Sequence, residues 1–149
     1  MAPEEKVLDA YLQLVKKMKS YEEAIGVLYW DMRTGAPRKG LAQRAEVVGD
    51  LSAELFKMGT SDELGELLAQ LTSPNVYETL SPVHRRSVDE NRKEYERSKK
   101  IPPDLYQKYV VLTSRAEAVW EKAKTENDFA SFRPYLEQIV DYNRQFIEL

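Results

Sequence analysis

The 149-residue chain has no cysteine. That excludes disulfides, thiolate metal ligands and a cysteine nucleophile, and it fits a reducing compartment. Only one histidine, His84, is present, so the two-histidine pair of a zinc hydrolase cannot be assembled, and no Glu-x-x-His pair of a di-iron bundle occurs. The six glycines are scattered and form no phosphate-cradling loop, and no serine sits in a Gly-x-Ser-x-Gly context. No run of about 18 apolar residues occurs. The start, MAPEEKVLDAYLQ, is acidic and amphipathic where a signal peptide would be basic and then continuously apolar. Lys+Arg 22 and Asp+Glu 25 nearly cancel to a net charge of −3, which leaves no global field to hold nucleic acid or an anionic membrane. The composition reads as a soluble, cytoplasmic chain without nucleic-acid or membrane partners. Catalytic residues and metal ligands are expected to be none.

What is present is helical periodicity. A chain of this length buries roughly 68–70% of the surface its unfolded form exposes, so a single helical domain over 1–149 is expected. Val7, Tyr11, Leu14, Met18, Tyr21, Ile25 and Leu28 recur in steps of four and three on one helical stripe. Ser20 with Glu23 also fits a capping box, which allows either one helix over about 4–30 or two that meet at Ser20; the unbroken phase favours one. Gly35-Ala36-Pro37 then breaks the chain. A second helix is predicted near 39–58, ending at Gly59, and Thr60 with Glu63 reads as the capping box of a short third helix carrying Leu64, Leu67, Leu68 and Leu71.

Ser81-Pro82 is an N-cap followed by proline at the first helical position, opening a helix over about 82–100. Its apolar positions are few, namely His84, Val88 and Tyr95 with Val83, so it should lie at the outside. Its basic residues are interrupted by acids on every turn and read as a solvated face, with Asp89/Lys93, Arg92/Glu96 and Glu96/Lys100 spaced to pair. His84 reads as a packing residue. Ile101-Pro102-Pro103 forces a turn, and a helix over about 103–126 follows with Leu105, Tyr109, Leu112, Ala116, Val119 and Ala123 in phase. Asn127-Asp128 restarts the chain, Phe129 and Phe132 anchor a tight turn, and Pro134 is expected to begin the last helix, within 132–149. The fold expected is therefore all-α, about six helices in an irregular bundle. Apolar periodicity persists to Leu149 without a stop signal, so more protein is expected beyond it.

The irregular stretch from Leu28 to Glu46 is the one candidate site. An indole and a carboxylate, Trp30-Asp31, fall near a helix C-terminus, where the helix dipole disfavours an anion unless a cation answers it. Arg33, Arg38 and Arg44 are candidates to answer. Two readings stand: Asp31 caps the following turn or pairs with Arg44 to pin two helices, or Trp30, Asp31 and Arg33 form a peptide-binding surface. Pro37, Arg44, Glu46, Trp120 and Asp128 are expected to be structural.

Several blocks occur in order and spacing: Leu28-x-Trp30-Asp31-x-x-Thr34-x-x-Pro37, Arg44-Ala45-Glu46, Leu51-Ser52, Glu54-Leu55, Ile101-Pro102-Pro103, Ala118-Val119-Trp120-Glu121-x-Ala123, and Asn127-Asp128-Phe129-x-x-Phe132-x-Pro134-Tyr135-Leu136. In these the chain resembles the amino-terminal region of the Taq-type thermostable metallocarboxypeptidases. The resemblance implies an all-helical protein about three times longer, which removes single residues from peptide C-termini. In the full-length family zinc or another divalent metal is held by a downstream His-Glu-x-x-His helix and a later glutamate. None of those residues lies in this chain, and Asp31-Met32-Arg33-Thr34 is distinct from the family's downstream Asp-x-Arg-x-Thr motif. The resemblance thus implies a groove wall or lid of a peptide hydrolase, inactive by itself, with peptide substrate as the partner of the whole enzyme. A different class of function is a self-standing helical interaction module that binds through bare apolar surface, and such a surface implies a homo-oligomer.

Overall fold

The computed structural model describes residues 3–149, and every regular element among them is helical. The helices are α1 (Pro3–Thr34), α2 (Leu41–Gly59), α3 (Asp62–Leu71), α4 (Pro74–Tyr77), α5 (Pro82–Ser98), α6 (Pro103–Glu126) and α7 (Phe129–Glu148), with one 3-10 turn at Arg38–Gly40. The chain separates into two compact units: Met1–Glu23 with Glu54–Lys100, and Ala24–Ala53 with Ile101–Leu149.

In the first unit α1 runs through Ser20 without interruption. The Ser20 hydroxyl donates back to the Lys16 carbonyl at 3.1 Å, the bond of a mid-helix serine and not of an N-cap. The core is built from the α3 row Leu64, Leu67, Leu68 and Leu71 with Tyr11, Leu80 and Val88, and Val7, Leu12, Val15, Met18 and Tyr95 pack around it. The helical period puts the four α3 leucines on one face, so one ten-residue helix supplies four of the seven buried side chains.

Two predicted boundaries move. Ser61, extended at φ −69° and ψ 151°, caps α3 by accepting from the Leu64 N–H at 3.1 Å. Thr60 instead belongs to the end of α2, its hydroxyl donating to the Phe56 carbonyl at 2.8 Å. Only the residue immediately before the first helical one can aim its oxygen at the open N–H groups, and that residue is Ser61. The stretch after Ser73, read from sequence as turn, contains the single-turn α4.

The Ser81 cap forms as expected, accepting from the His84 N–H at 3.2 Å, with Pro82 at the first position. On α5 only Val88 is fully buried, and Val83, predicted among its apolar positions, is 76% exposed. The helix attaches largely through polar bonds. Ser87 and Asn91 each hydrogen-bond the buried Tyr11 hydroxyl at 2.9 Å, and Lys99 donates to the Thr60 carbonyl and to Asp62, both at 2.8 Å. The Lys99 ammonium holds the Asp62 carboxyl below the usual aspartate range. Asp89, expected to pair with Lys93, accepts from the Tyr77 hydroxyl at 2.8 Å, and Lys93 takes Glu90 at 3.3 Å. Arg92 and Glu96 pair at 3.5 Å as spaced.

The second unit buries small residues instead: Ala45, Ser52, Ser114, Ala116 and Ala123, with Val48. Small side chains let helices approach closely. A Cβ added at Gly49 would lie 3.0 Å from a Val111 methyl, so α2 and α6 meet there with almost no clearance. α6 and α7 pair antiparallel across a two-residue turn. Asn127 takes the left-handed conformation, φ 54° and ψ 37°, that ends α6, and Asp128 then caps α7 by accepting from the Ser131 N–H at 3.3 Å. The Ser131 hydrogen bonds hold the Asp128 carboxyl below its ordinary range. At the far end Tyr109 of α6 packs against Phe146 of α7, ring centroids 5.1 Å apart.

Because Asp128 is the cap, α7 starts at Phe129, and Pro134 lies inside it where the sequence suggested it would begin the helix. Pro134 is the sixth residue of α7, so the helix forgoes the one bond that an N–H there would donate to the Ala130 carbonyl. The Phe129–Phe132 segment, expected as a tight turn, is therefore helical.

Candidate functional site

The candidate site lies in the second unit, where the last turns of α1, the 3-10 turn, the start of α2 and the middle of α6 come together. α1 extends beyond Trp30-Asp31 to Thr34, so the pair sits in its last turn and a half and not at its end. The backbone of the break is closed by the Asp31 carbonyl, which accepts from both Gly35 and Ala36 N–H at 2.9 Å. Pro37, exposed at φ −58° and ψ 136°, leads into the 3-10 turn, its fixed φ suited to an extended entry.

Asp31 is answered by Arg44, whose Nε lies 3.0 Å from Oδ2. Oδ2 is buried and ion-paired without accepting a hydrogen bond among the described residues. This contact joins α1 to α2 within the unit. Asp31→Ala is expected to lower folding free energy by about 1 kcal/mol, because both partners keep roughly a third of their side chains in water. Urea unfolding followed by circular dichroism checks this, and an unchanged midpoint would remove the pair from any structural role.

Of the other residues singled out from sequence, Arg33 forms an ion pair with Glu117 of α6. Trp30 is 68% exposed, and Glu46 is exposed with no ion pair among the described residues. Trp120 is partly exposed with the Lys124 ammonium 4.9 Å from its ring centroid. Two cavities, about 610 and 510 Å³, share Tyr29, Arg33, Ser114 and Glu117 in their walls. The first adds Trp120, Phe132 and Ile139. The second adds Met32, Leu41, Val119, Arg38 and Arg115. Trp30 and Asp31 line neither. The sequence reading missed Glu117 and Ser114. Glu117 looks like any helix-surface acid, and Ser114, buried and 3.3 Å from the Tyr29 hydroxyl, lies off the apolar row that was followed along α6.

The chemistry available here is that of recognition. Charged groups flank partly apolar walls, while no group of three or more His, Cys, Asp or Glu side chains able to hold a metal ion gathers among the described residues. His84, the sole imidazole, lies half-buried on α5 in the other unit. The donor set therefore does not fit a divalent metal centre, and no catalytic step is assigned to these residues.

Comparison with known proteins gives this arrangement a context. The chain is 43% identical over 137 residues to Carboxypeptidase 1 of Bacillus subtilis, matching 92% of this chain and 27% of that protein. It is 33% identical over 144 residues to Thermostable carboxypeptidase 1 of Thermus thermophilus, matching 94% of this chain and 28% of that protein. The solved crystal structure of BsuCP superposes with a TM-score of 0.91 at 41% identity, covering 96% of this chain and 28% of that one. A Pyrococcus furiosus carboxypeptidase structure, at 23% identity and a TM-score of 0.72, shares the fold. The chain thus spans little more than a quarter of the length of the curated relatives it matches. The sequence pattern of the family described as Carboxypeptidase Taq (M32) metallopeptidase matches residues 10–149. The chain belongs to that metallopeptidase family.

Proposed function

We propose that this chain is the amino-terminal helical part of a cytoplasmic metal-dependent carboxypeptidase, forming a wall or lid of the peptide groove, and that it self-associates. The observation that carries the reading is its 43% identity, over 92% of its length, to 27% of a Bacillus carboxypeptidase. In this reading the metal, zinc or another divalent ion, is held by residues outside the 149. Peptide is the substrate of the whole enzyme. Arg33 and the cavity walls beside it contribute substrate contact, with Trp30 and Asp31 bordering them. Arg44, Pro37, Glu46, Trp120 and Asp128 serve the architecture. No helix among the described residues is long and apolar enough to cross a membrane.

The purified 149-residue chain is expected to release no C-terminal amino acid from a blocked dipeptide with zinc or cobalt added. Metal-dependent release at a rate above the metal-only blank would overturn the assignment. A self-standing interaction module is the second reading, favoured by exposed apolar side chains such as Phe129 and Ile147. An in-frame continuation of the gene to a His-Glu-x-x-His sequence supports the carboxypeptidase reading, and a stop codon after Leu149 supports the module.

A further inference from the structure

The two cavities of the second unit differ in the charges on their walls. Arg33 borders both and is matched by Glu117 in both, and the first cavity has no other charged residue. The second, about 510 Å³, is bordered in addition by Arg38, Arg115 and Glu121. All three are exposed, and none makes an ion pair or a side-chain hydrogen bond among the described residues. Two cations and one anion are therefore free to meet a ligand. Between them the wall is built from small residues, Ser114 and Ala118 one turn apart on α6, and Ala42 and Ala45 near the start of α2. Short side chains on neighbouring helices leave a void that larger ones would fill. Met32, Leu41, Val119 and Tyr135 add apolar surface. A cavity between roughly 300 and 1,000 Å³, with apolar walls and a few polar groups, is the make-up of a small-molecule site.

Charges of both signs beside apolar surface select a zwitterion with an apolar body. A guanidinium presents a fork of N–H donors that fits a carboxylate, which Arg38 and Arg115 supply. Glu121 supplies the counter-charge for an ammonium. On α6 Arg115 and Glu121 stand six residues apart, about 9 Å along the axis, with Ala118 midway, so one charge of each sign flanks the shallow floor. A phosphate or an acidic peptide would gain from the two arginines but be repelled by Glu121. We propose that the cavity bordered by Arg38, Arg115 and Glu121 binds a free α-amino acid with an apolar side chain. This rests on the reading above that the walls beside Arg33 touch substrate, and it goes beyond that reading in the ligand. The nitrogen of a free amino acid is an ammonium, whereas that of the C-terminal residue of an intact peptide is an amide, so Glu121 favours the free residue.

Exposed charges each contribute little, so binding in the millimolar range is expected. An NMR titration of the 149-residue chain, followed by its amide chemical shifts, tests it with three probes: L-leucine, N-acetyl-L-leucine, which lacks the ammonium, and L-leucinamide, which lacks the carboxylate. L-Leucine should shift the amides of Ala42 and Ala118, and each of the other two should bind about fivefold more weakly. Arg38→Gln combined with Arg115→Gln should erase the preference over leucinamide, and Glu121→Gln the preference over N-acetyl-leucine. Ala118→Phe fills the void with every charge kept and should remove binding. Lys108→Gln, which takes a cation from the wall of a neighbouring cavity on α6, should leave the leucine Kd unchanged. Circular dichroism confirms that each variant is folded. Equal binding of the three probes, or a leucine Kd indifferent to these substitutions, overturns the amino-acid site. N-acetyl-leucine bound more tightly than leucine assigns the cavity to the end of a peptide, which overturns the free amino acid while leaving substrate contact standing. No shift at these walls with any probe overturns both.

Discussion

Tyr11→Ala is expected to lower folding free energy by about 3–5 kcal/mol, the range for emptying an aromatic core site. Tyr11 is fully buried at 0% exposure, and its ring is part of the first unit's core beside the α3 leucines. The substitution leaves a cavity, and it also leaves the Ser87 hydroxyl and one amide hydrogen of Asn91 without the oxygen they share. Tyr11→Phe keeps the ring and isolates the second effect, expected at about 1–2 kcal/mol. A urea-unfolding loss below about 1 kcal/mol for the alanine variant would mean the site refills and does not organise the core.

The hydroxyl also carries a pH signature. Burial pushes the Tyr11 phenol above its ordinary 10.0, against the smaller opposing effects of the Ser87 and Asn91 hydrogen bonds. The folded state therefore holds the phenolic proton more tightly than the unfolded state does. That contribution is complete below pH 10 and is lost as pH rises from 10 through the folded value. The stability gap between wild type and Tyr11→Phe should thus be constant in neutral and mildly alkaline solution and shrink above pH 10. Taking the difference between the two proteins removes the other tyrosines, including Tyr77, whose phenol is raised mainly by its hydrogen bond to Asp89. A gap that widens with alkali would contradict the burial of this group.

Leu68→Ala should have the second-largest effect, about 3–4 kcal/mol, as lost transfer energy plus the cost of the cavity left behind. Leu68 is 2% exposed and is flanked on the same helix face by Leu64, Leu67 and Leu71. Neighbouring groups have little room to collapse into the space. Gly65, on the same helix, lies so close to the Tyr95 ring that an added Cβ would stand 2.8 Å from Cζ. Val83→Ala on α5 is the control. At 76% exposure it should change stability by no more than about 0.5 kcal/mol. Equal losses at the two positions would show that the leucine row is not the core.

The contrast between Leu68 and Val83 shows what a single sequence conveys. Four leucines in the spacing of one helical face can hardly be anything but core, and all four are buried. A helix with only one or two apolar residues per face gives no such majority. For α5 the pattern counted Val83 as inward, yet besides the buried Val88 the helix is held by Ser87 and Asn91, and just past its end by Lys99, polar residues that are ordinarily solvated. The capping residues show the same limit at short range. Thr60-Ser61 offers two hydroxyls for one cap, and the choice follows from which backbone residue is extended. Asp128 and Pro134 compete as the start of α7 in a similar way, and the carboxylate that reaches the Ser131 N–H defines the first turn.

At the candidate site the sequence conveyed composition and the fold supplied partners. Trp30, Asp31 and Arg33 were legible as an irregular cluster, and Arg44 was among the cations able to meet Asp31. That Arg33 instead faces Glu117, across more than eighty positions of chain, has no local signal.

By itself, then, the sequence determined the helical class, the breaks at 35–37 and 101–102 and the α3 core row. These are local properties, set by side-chain period and proline. Only the tertiary structure decided that Tyr11 is bonded by Ser87 and Asn91, that the second unit is packed with alanine and serine, and that Gly26 and Trp30 stand open on α1. Those depend on which helices meet, and the free energy of meeting is spread over many weak contacts between residues distant in the chain.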